Sequence, residues 1–228
     1  MLERKIIESI FSAVTSFNVD ALKIFHLQSR KNTIYHNWCR QMGINVSEVY
    51  RLEQIPFLPI SFFKTHEITT GYFQPETIFQ SSGTTQLTQS RHFIKDTAIY
   101  RKSFLTCFQQ FYGDIKNYCV LALLPSYSPG SSLIMMADEL IRLSGHSYSG
   151  FYAGEEEKLN SILKQLEVAG QQTILLGVSF ALLDFAGKFP QPLKHTIVME
   201  TGGMKGRKKE ITRRELHNIL KEKFVLNE

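Results

Sequence analysis

The stretch EEKLNSILKQLEVAGQQTILLGV, residues 156–178, joins a helix pattern to a strand pattern through a single glycine. Four aliphatic residues in its first half recur at the helical spacing i, i+3, i+4 and i+7: Leu159, Ile162, Leu163 and Leu166. This spacing predicts a helix over residues 156–168 that ends at Gly170. Thr173–Val178 is a short, largely apolar run, which is typical of a buried strand. A helix followed at once by such a strand indicates an α/β unit with a parallel sheet.

The same alternation of helix and strand patterns extends in both directions. The other strand patterns cover residues 77–80, 91–94, 118–124, 147–152 and 195–199. The other helix patterns cover residues 97–111, 133–141, 180–186 and 212–224. Ser131 or Ser132 is predicted to cap the second of these helices, and Thr212 with Glu215 forms a capping box at the last. We therefore predict an α/β fold with a mainly parallel, doubly wound sheet.

The first part of the chain has a different pattern. Its apolar residues follow helical spacing over residues 6–14, 19–30 and 33–42, with Gly43 as a stop signal. Prolines and phenylalanines around residues 56–63 then interrupt the helical pattern. We predict a helical N-terminal segment over residues 1–75 and an α/β domain over residues 76–228.

Composition and charge exclude several classes of protein. Hydrophobic residues make up 43% and charged residues 21% of the 228 residues, as in globular domains. The net charge is +5, but the basic residues are spread along the chain, so we expect no nucleic-acid partner. The three cysteines are far apart and none has CxxC spacing, which fits a reducing, cytoplasmic location without zinc or disulfides. No apolar run approaches the ~18 residues that a membrane span needs.

The segment that carries most chemical information is a run of five small residues: Ser81, Ser82, Gly83, Thr84 and Thr85. It follows a predicted strand and offers four hydroxyl groups, several backbone N–H groups and one glycine. Such a turn forms an anion-binding nest, and the glycine allows close approach of a phosphate. It is not a Walker-type loop, because no Gly-Lys-Ser or Gly-Lys-Thr follows. An ordinary polar loop is the alternative.

This turn resembles the phosphate loop of the adenylate-forming superfamily. Two other segments occur in that superfamily's order: residues 123–128 are similar to the strand end and aromatic element of the acyl pocket, and residues 201–204 to the Gly-Gly segment beside the adenine. Within the superfamily, the chain is most similar to the LuxE-type acyl-protein synthetases. The stretches that carry this similarity are residues 57–64, 81–85, 90–92, 123–128, 131–133, 149–152, 200–207 and 214–217.

The resemblance implies the fold of the N-terminal domain of adenylate-forming enzymes, with residues 76–228 as the nucleotide-binding domain. It implies ATP-dependent activation of a carboxylic acid, expected to be a fatty acid, as its acyl-adenylate, and transfer of the acyl group to a protein thiol. The cofactors would be ATP and Mg²⁺. The partners would be the carboxylic acid and an acyl-acceptor protein or CoA.

The resemblance also assigns roles to individual residues. The residues that would bind the ATP phosphates are Ser81, Ser82, Gly83, Thr84 and Thr85. Those that would flank the adenine are Thr201, Gly202, Gly203 and Met204, and those of the acyl pocket are Pro125, Ser126, Tyr127 and Ser131. Thr84, Arg91 and His92 would take part in catalysis. A solvated strand residue is the alternative for Arg91, a structural histidine for His92 and a core residue for Tyr127.

The chain departs from the family's pattern in two places. Gln86 stands where a glycine is usual, and the lysine that often follows the phosphate loop is absent. The sequence also ends at Glu228, before the Tyr-Gly-x-Thr-Glu element with the magnesium-associated glutamate, the ribose-binding aspartate and the acyl-carrying cysteine. We therefore expect an α/β domain that is incomplete at its C-terminal end, without metal ligands of its own and inactive alone.

Two alternatives to this function stay open. The first is an acyl- or aryl-CoA ligase related to phenylacetate–CoA ligase, which shares the first half-reaction. The second is a non-catalytic domain that binds a nucleotide or an acyl group.

Overall fold

The computed structural model describes residues 2–12, 16–81, 89–202 and 211–226. The chain forms two compact units, Met1–Ser103 and Phe104–Glu228. The first strand begins at Thr77, one residue into the α/β domain predicted over residues 76–228. The first two strands nevertheless belong to the N-terminal unit, and the two units divide within a helix that follows them.

The described residues of the N-terminal unit include four complete α-helices, the beginning of a fifth, and a two-stranded sheet. The helices are α1 (Leu2–Ile10), α2 (Phe17–Lys31), α3 (Thr33–Gln41) and the short α4 (Phe62–Thr65). A small core holds α2 and α3 together and consists of Phe25, Tyr35, Cys39 and Val49. The Tyr35 hydroxyl donates to the Pro56 carbonyl (2.7 Å), and Trp38 Nε1 donates to the Phe57 carbonyl (3.1 Å). These bonds attach the proline-containing connector to the helices.

The strands β1 (Thr77–Gln80) and β2 (Arg91–Ile94) form an antiparallel pair, as the patterns at residues 77–80 and 91–94 predicted. The pairing continues one step beyond the strands. Ser81 N donates to the Ser90 carbonyl (3.1 Å), and Ser90 N donates to Ser81 Oγ (3.1 Å). The two ends of the segment between Ser81 and Ser90 are therefore fixed side by side. Helix α5 (Thr97–Tyr112) follows β2.

The C-terminal unit is an α/β fold, as predicted. Its elements are β3 (Cys119–Leu123), α6 (Ser132–Ser144), β4 (Gly150–Phe151), α7 (Glu156–Ala169), β5 (Thr173–Val178), α8 (Ser179–Lys188), β6 (Thr196–Thr201) and α9 (Arg213–Phe224). The four strands are parallel and lie in the order β4-β3-β5-β6. The first strand of this sheet in the sequence, β3, is therefore central. The next strand, β4, lies on one side of it, and β5 and β6 lie on the other side.

The two central strands, β3 and β5, carry the core of this unit on both faces. One face includes Leu121 and Leu175 and is covered by α7, α8 and α9. The other includes Val120 and Ile174 and is covered by α6 and by the part of α5 that begins at Phe104. Successive side chains of a strand point to opposite faces, so a continuous apolar run becomes buried on both sides when helices cover both.

Helix termini match their sequence signals. The Ser131 hydroxyl accepts a hydrogen bond from Ile134 N (3.3 Å) at the start of α6, which confirms Ser131 as the cap. Thr212 and Glu215 form the predicted capping box of α9. Gly170 ends α7 in the left-handed conformation that favours glycine. Among the described residues, no helix is long and apolar enough to cross a membrane.

Candidate functional site

The carboxyl ends of all four parallel strands lie at one edge of the C-terminal unit's sheet. Strand β3 lies between β4 and β5, so the chain leaves it in one direction first and returns to its other side later. Open α/β sheets bind ligands outside the carboxyl ends of the strands at such a switch point. We therefore take the segments that follow β3, β5 and β6 as the candidate site in this unit.

The segment after β3 contains the residues predicted for the acyl pocket. Pro125, Ser126 and Tyr127 are exposed, and Ser131 is half-buried at the start of α6. The Tyr127 side chain is 79% exposed, so Tyr127 is not a core residue in this structure. Its ring and the neighbouring Ser126 hydroxyl are accessible to a ligand at the carboxyl edge.

The segment after β6 begins with residues predicted to flank an adenine. Thr201 ends β6, and Gly202 follows it with a φ of +90°, a value that only glycine adopts without strain. The preceding Glu200 is half-buried. Gly203 and Met204 lie outside the described residues. Residues 125–127 and 201–202 thus belong to one edge of one sheet, as the parallel-sheet prediction requires.

Ser179 is a residue of this edge that the sequence analysis did not single out. It comes directly after β5 as the first residue of α8, and only 1% of it is exposed. Its hydroxyl donates to the Glu200 carboxylate and lies 3.0 Å from the Gly202 carbonyl oxygen. The signal in the sequence is a hydroxyl residue immediately after a buried strand. Such a residue can be identified as a contact of Glu200 and Gly202 only when the position of β6 beside β5 is known.

The predicted phosphate-binding turn lies in the N-terminal unit, at the end of β1. Ser81 is exposed and its backbone and hydroxyl both bond to Ser90. Residues 82–85, including Thr84, lie outside the described residues. The strand before the turn and the returning strand after it are both where the sequence predicted them.

Arg91 and His92 follow the turn on β2 and have different surroundings. The Arg91 side chain is exposed and its guanidinium lies 5.5 Å from the centre of the Phe93 ring. The half-buried His92 ring stacks on Phe63, with 4.6 Å between ring centres and 19° between their planes. This stacking gives His92 a packing role, whereas the Arg91 charge is available to a solvent-borne anion.

The side chains of Cys39 and Cys119 are buried. Burial raises the pKa of the Cys119 thiol to about 11, and burial also raises the pKa of the Cys39 thiol. A thiol attacks as its thiolate, so both are poor nucleophiles near neutral pH.

Within residues 2–12, 16–81, 89–202 and 211–226, no three His, Cys, Asp or Glu side chains are grouped as metal ligands. At the edge itself, the Glu200 carboxylate already accepts a hydrogen bond from Ser179.

The amino-acid sequence matches no family model, and comparing the chain with curated proteins and with solved structures gave no match.

Proposed function

We propose that this protein binds ATP and activates a carboxylic acid as its acyl-adenylate for transfer to a protein thiol, as in the LuxE-type acyl-protein synthetases. The proposed fold is that of the N-terminal domain of adenylate-forming enzymes. The observation that carries the proposal is the position of two segments that resemble that family. Residues 125–127 and 201–202 follow different strands, and both lie at the carboxyl edge of one parallel sheet.

The hairpin of the N-terminal unit supports the phosphate-binding part of the proposal. The bonds between Ser81 and Ser90 hold both ends of the hydroxyl-rich segment. Fixed ends reduce the entropy lost when backbone N–H and hydroxyl groups arrange around a phosphate. Arg91, the first residue of β2 and the neighbour of Ser90, supplies an exposed positive charge.

The proposed chemistry has two steps. A carboxylate oxygen attacks the α-phosphorus of ATP, a new P–O bond forms, and the bond to the bridging oxygen breaks so that pyrophosphate leaves. The thiolate then attacks the acyl carbon and AMP leaves. Both reactants of the first step are anions, so the protein contributes mainly by positioning them and compensating charge. Ser82, Thr84 and Thr85 would donate hydroxyl hydrogen bonds to the β- and γ-phosphates.

The proposal is tested by the exchange of labelled pyrophosphate into ATP, measured on the full product of the gene with fatty and aromatic acids. We expect exchange that depends on the acid. Thr84→Ala removes one hydroxyl donor and should lower the exchange rate roughly a hundredfold. Thr84→Ser is the matched control, because it keeps the hydroxyl and should retain most of the rate.

The acceptor thiol separates the proposed function from its alternatives. Release of AMP that requires CoA indicates a CoA ligase, whereas acylation of a protein cysteine indicates the synthetase. ATP binding without exchange for any acid indicates a non-catalytic binding domain. A protein that neither binds ATP nor catalyses exchange contradicts the proposal altogether.

A further inference from the structure

The hairpin of β1 and β2 packs one of its two faces within the N-terminal unit. Phe79 is buried and its ring centre lies 5.1 Å from that of Tyr100, and the His92 ring stacks on Phe63. Phe79 and His92 lie opposite each other in the strand register. Because successive side chains of a strand point to opposite faces, the neighbours of these two residues point to the other face of the hairpin.

This other face carries a cation, an aromatic ring and a second cation at alternate positions of the chain. Arg91 is exposed, Phe93 is half-buried, and the exposed Lys95 follows directly after β2. On β1, the exposed Gln80 lies opposite Arg91, and the half-buried Ile78 lies opposite Phe93. Arg91, Phe93 and Lys95 together are called the hairpin face below.

Both cations of the hairpin face lie against aromatic rings. The central carbon of the Arg91 guanidinium is 5.5 Å from the centre of the Phe93 ring, and Lys95 Nζ is 5.8 Å from the centre of the Phe73 ring. Phe73 is half-buried, as Phe93 is. Cation–π attraction of this kind favours positions of the charge beside the ring. Two rings and two positive charges are therefore presented together.

Two acidic residues lie near Lys95, and both accept hydrogen bonds from the start of α5. Glu76, which precedes β1, accepts from Thr97 N and Thr97 Oγ1, and Asp96 accepts from Ala98 N, all at 2.8 Å. Backbone N–H groups at a helix N-terminus compensate part of a negative charge. Within the hairpin face itself, both charges are positive.

We propose that the hairpin face binds single-stranded nucleic acid. Aromatic side chains on a sheet, with basic residues beside them, form the kind of surface on which single strands stack their bases and place their phosphates. Arg91 and Lys95 are four residues apart, about 13 Å along an extended chain, so they cannot share one phosphate group. They can contact two phosphates of one strand. A base stacked on Phe93 between them then has a phosphate on each side, as within a strand and unlike a mononucleotide.

The basic residues are spread along the sequence, which predicted no nucleic-acid partner. Folding gathers two of them at one place, because strand alternation brings Arg91 and Lys95 to one face beside aromatic rings. Binding of a strand at this face is independent of the proposed activity, since it requires neither an acyl-adenylate nor the carboxyl edge of the parallel sheet. Strand binding and pyrophosphate exchange can therefore fail separately.

The experiment measures the binding of a fluorescein-labelled ten-nucleotide thymidine strand to the full chain by fluorescence anisotropy. We expect a Kd of about 100 µM or lower at about 50 mM salt. A plot of log binding constant against log salt concentration should have a slope of about −1.4, which is about −0.7 for each of two phosphate contacts. Lys95→Ala should reduce this slope to about −0.7. Phe93→Leu should keep the slope and weaken binding about tenfold, because one stacked base is lost.

Matched variants separate the hairpin face from the rest of the surface. Arg51→Ala and Phe57→Leu remove an exposed charge and an exposed ring of the same unit outside the hairpin, and should change neither the Kd nor the slope. Phe93→Tyr keeps a ring and should bind as the wild type does. Lys95→Ala changes an exposed side chain only, so the slope decides the question even if Phe93→Leu is unstable.

Four results overturn the inference. They are no binding by the wild-type protein, a salt slope that Lys95→Ala leaves unchanged, equal losses in Phe57→Leu and Phe93→Leu, and equal competition by inorganic polyphosphate and by an unlabelled strand of the same charge. The last result would show that the face binds phosphate without stacking a base.

Discussion

Gly177 is a residue at which β5 leaves no room for a side chain. A Cβ atom added there would lie 2.8 Å from Leu182 Cγ and 3.4 Å from Leu123 Cβ. The close approach arises because α8 begins directly after β5 and turns back onto it. The glycine therefore permits the short connection that also places Ser179 at the carboxyl edge.

Gly177→Ala should destabilise the protein by about 1–3 kcal/mol, since Leu182 must move to accept the methyl group. The free energy of unfolding is measured in urea and followed by circular dichroism, because Trp38, the single tryptophan, lies in the other unit.

Gly187→Ala is the matched control for this change. Gly187 lies near the end of α8, and a Cβ atom built there meets nothing within 4 Å. Alanine is the better helix former, so this variant should be neutral or up to ~1 kcal/mol more stable. Equal destabilisation by both variants would show that the contact with Leu182 does not determine the effect.

At the scale of single elements, the start of α6 depends on Ser131. Its hydroxyl accepts the hydrogen bond of Ile134 N, which otherwise has no partner within the helix. Ser131→Ala should cost about 1 kcal/mol of stability. Ser131→Asp retains an acceptor and adds a negative charge at the helix N-terminus, so it should restore stability. Thermal unfolding checks both, and Ser128→Ala, in the same segment, is the control that should have little effect.

Glu76 connects the start of β1 to the start of α5, and it makes stability depend on pH. Its carboxylate accepts hydrogen bonds from Thr97 N and Thr97 Oγ1, both at 2.8 Å. These bonds lower the pKa of Glu76 below its ordinary value of 4.5. A lowered carboxyl pKa means that the stabilisation is complete above about pH 4.5 and is lost as the pH falls through the lower, folded-state pKa.

Glu76→Gln should therefore lower the melting temperature at about pH 6 and reduce the further loss on acidification to about pH 3. Melting curves over this range, compared with those of the exposed Glu48→Gln, measure the effect. Parallel pH curves for the wild-type protein and Glu76→Gln would contradict it.

The predicted and observed bounds of the helices and strands show which of these elements are determined by the nearby sequence alone. Helix α7 follows from its own apolar spacing and from Gly170, and its structure agrees with both. The strand predicted over residues 147–152 contains only Gly150–Phe151. The reason is a side chain: Ser149 Oγ accepts the hydrogen bond of Val120 N (2.9 Å), so a hydroxyl replaces the next backbone pair. The local sequence pattern does not show whether Val120 N bonds the Ser149 hydroxyl or a backbone carbonyl.

At the scale of the whole molecule, the two sheets should differ in stability against opening. Val120, Leu121 and Ala122 of β3 are fully buried, and β3 has a neighbouring strand on each side. The strands β1 and β2 pair only with each other in the described structure. Amides of β3 and β5 should therefore exchange with solvent roughly a hundredfold more slowly than those of β1 and β2. Hydrogen exchange read by mass spectrometry decides this, and equal protection would contradict it.

The sequence predicts those parts of the fold and of the site that are determined by neighbouring residues in the chain. Alternating apolar patterns predict most strands and helices, and parallel pairing then places residues 125–127 and 201–202 at one edge. The strand order β4-β3-β5-β6 cannot be predicted from any single segment, because it depends on which strands pair in the folded structure. Ser179 was missed for the same reason, since its partners Glu200 and Gly202 are more than twenty residues away.

The strand order has a consequence for synthesis on the ribosome. The first strand of the parallel sheet to emerge, β3, is central in the finished sheet and apolar on both faces. The two-residue β4 that emerges next covers only part of one side. The other side stays open until β5 has been translated, about fifty residues after β3, and parallel pairing over such separations is slow and prone to aggregation. The nascent chain therefore passes through an interval in which the apolar β3 has no partner strand on its β5 side.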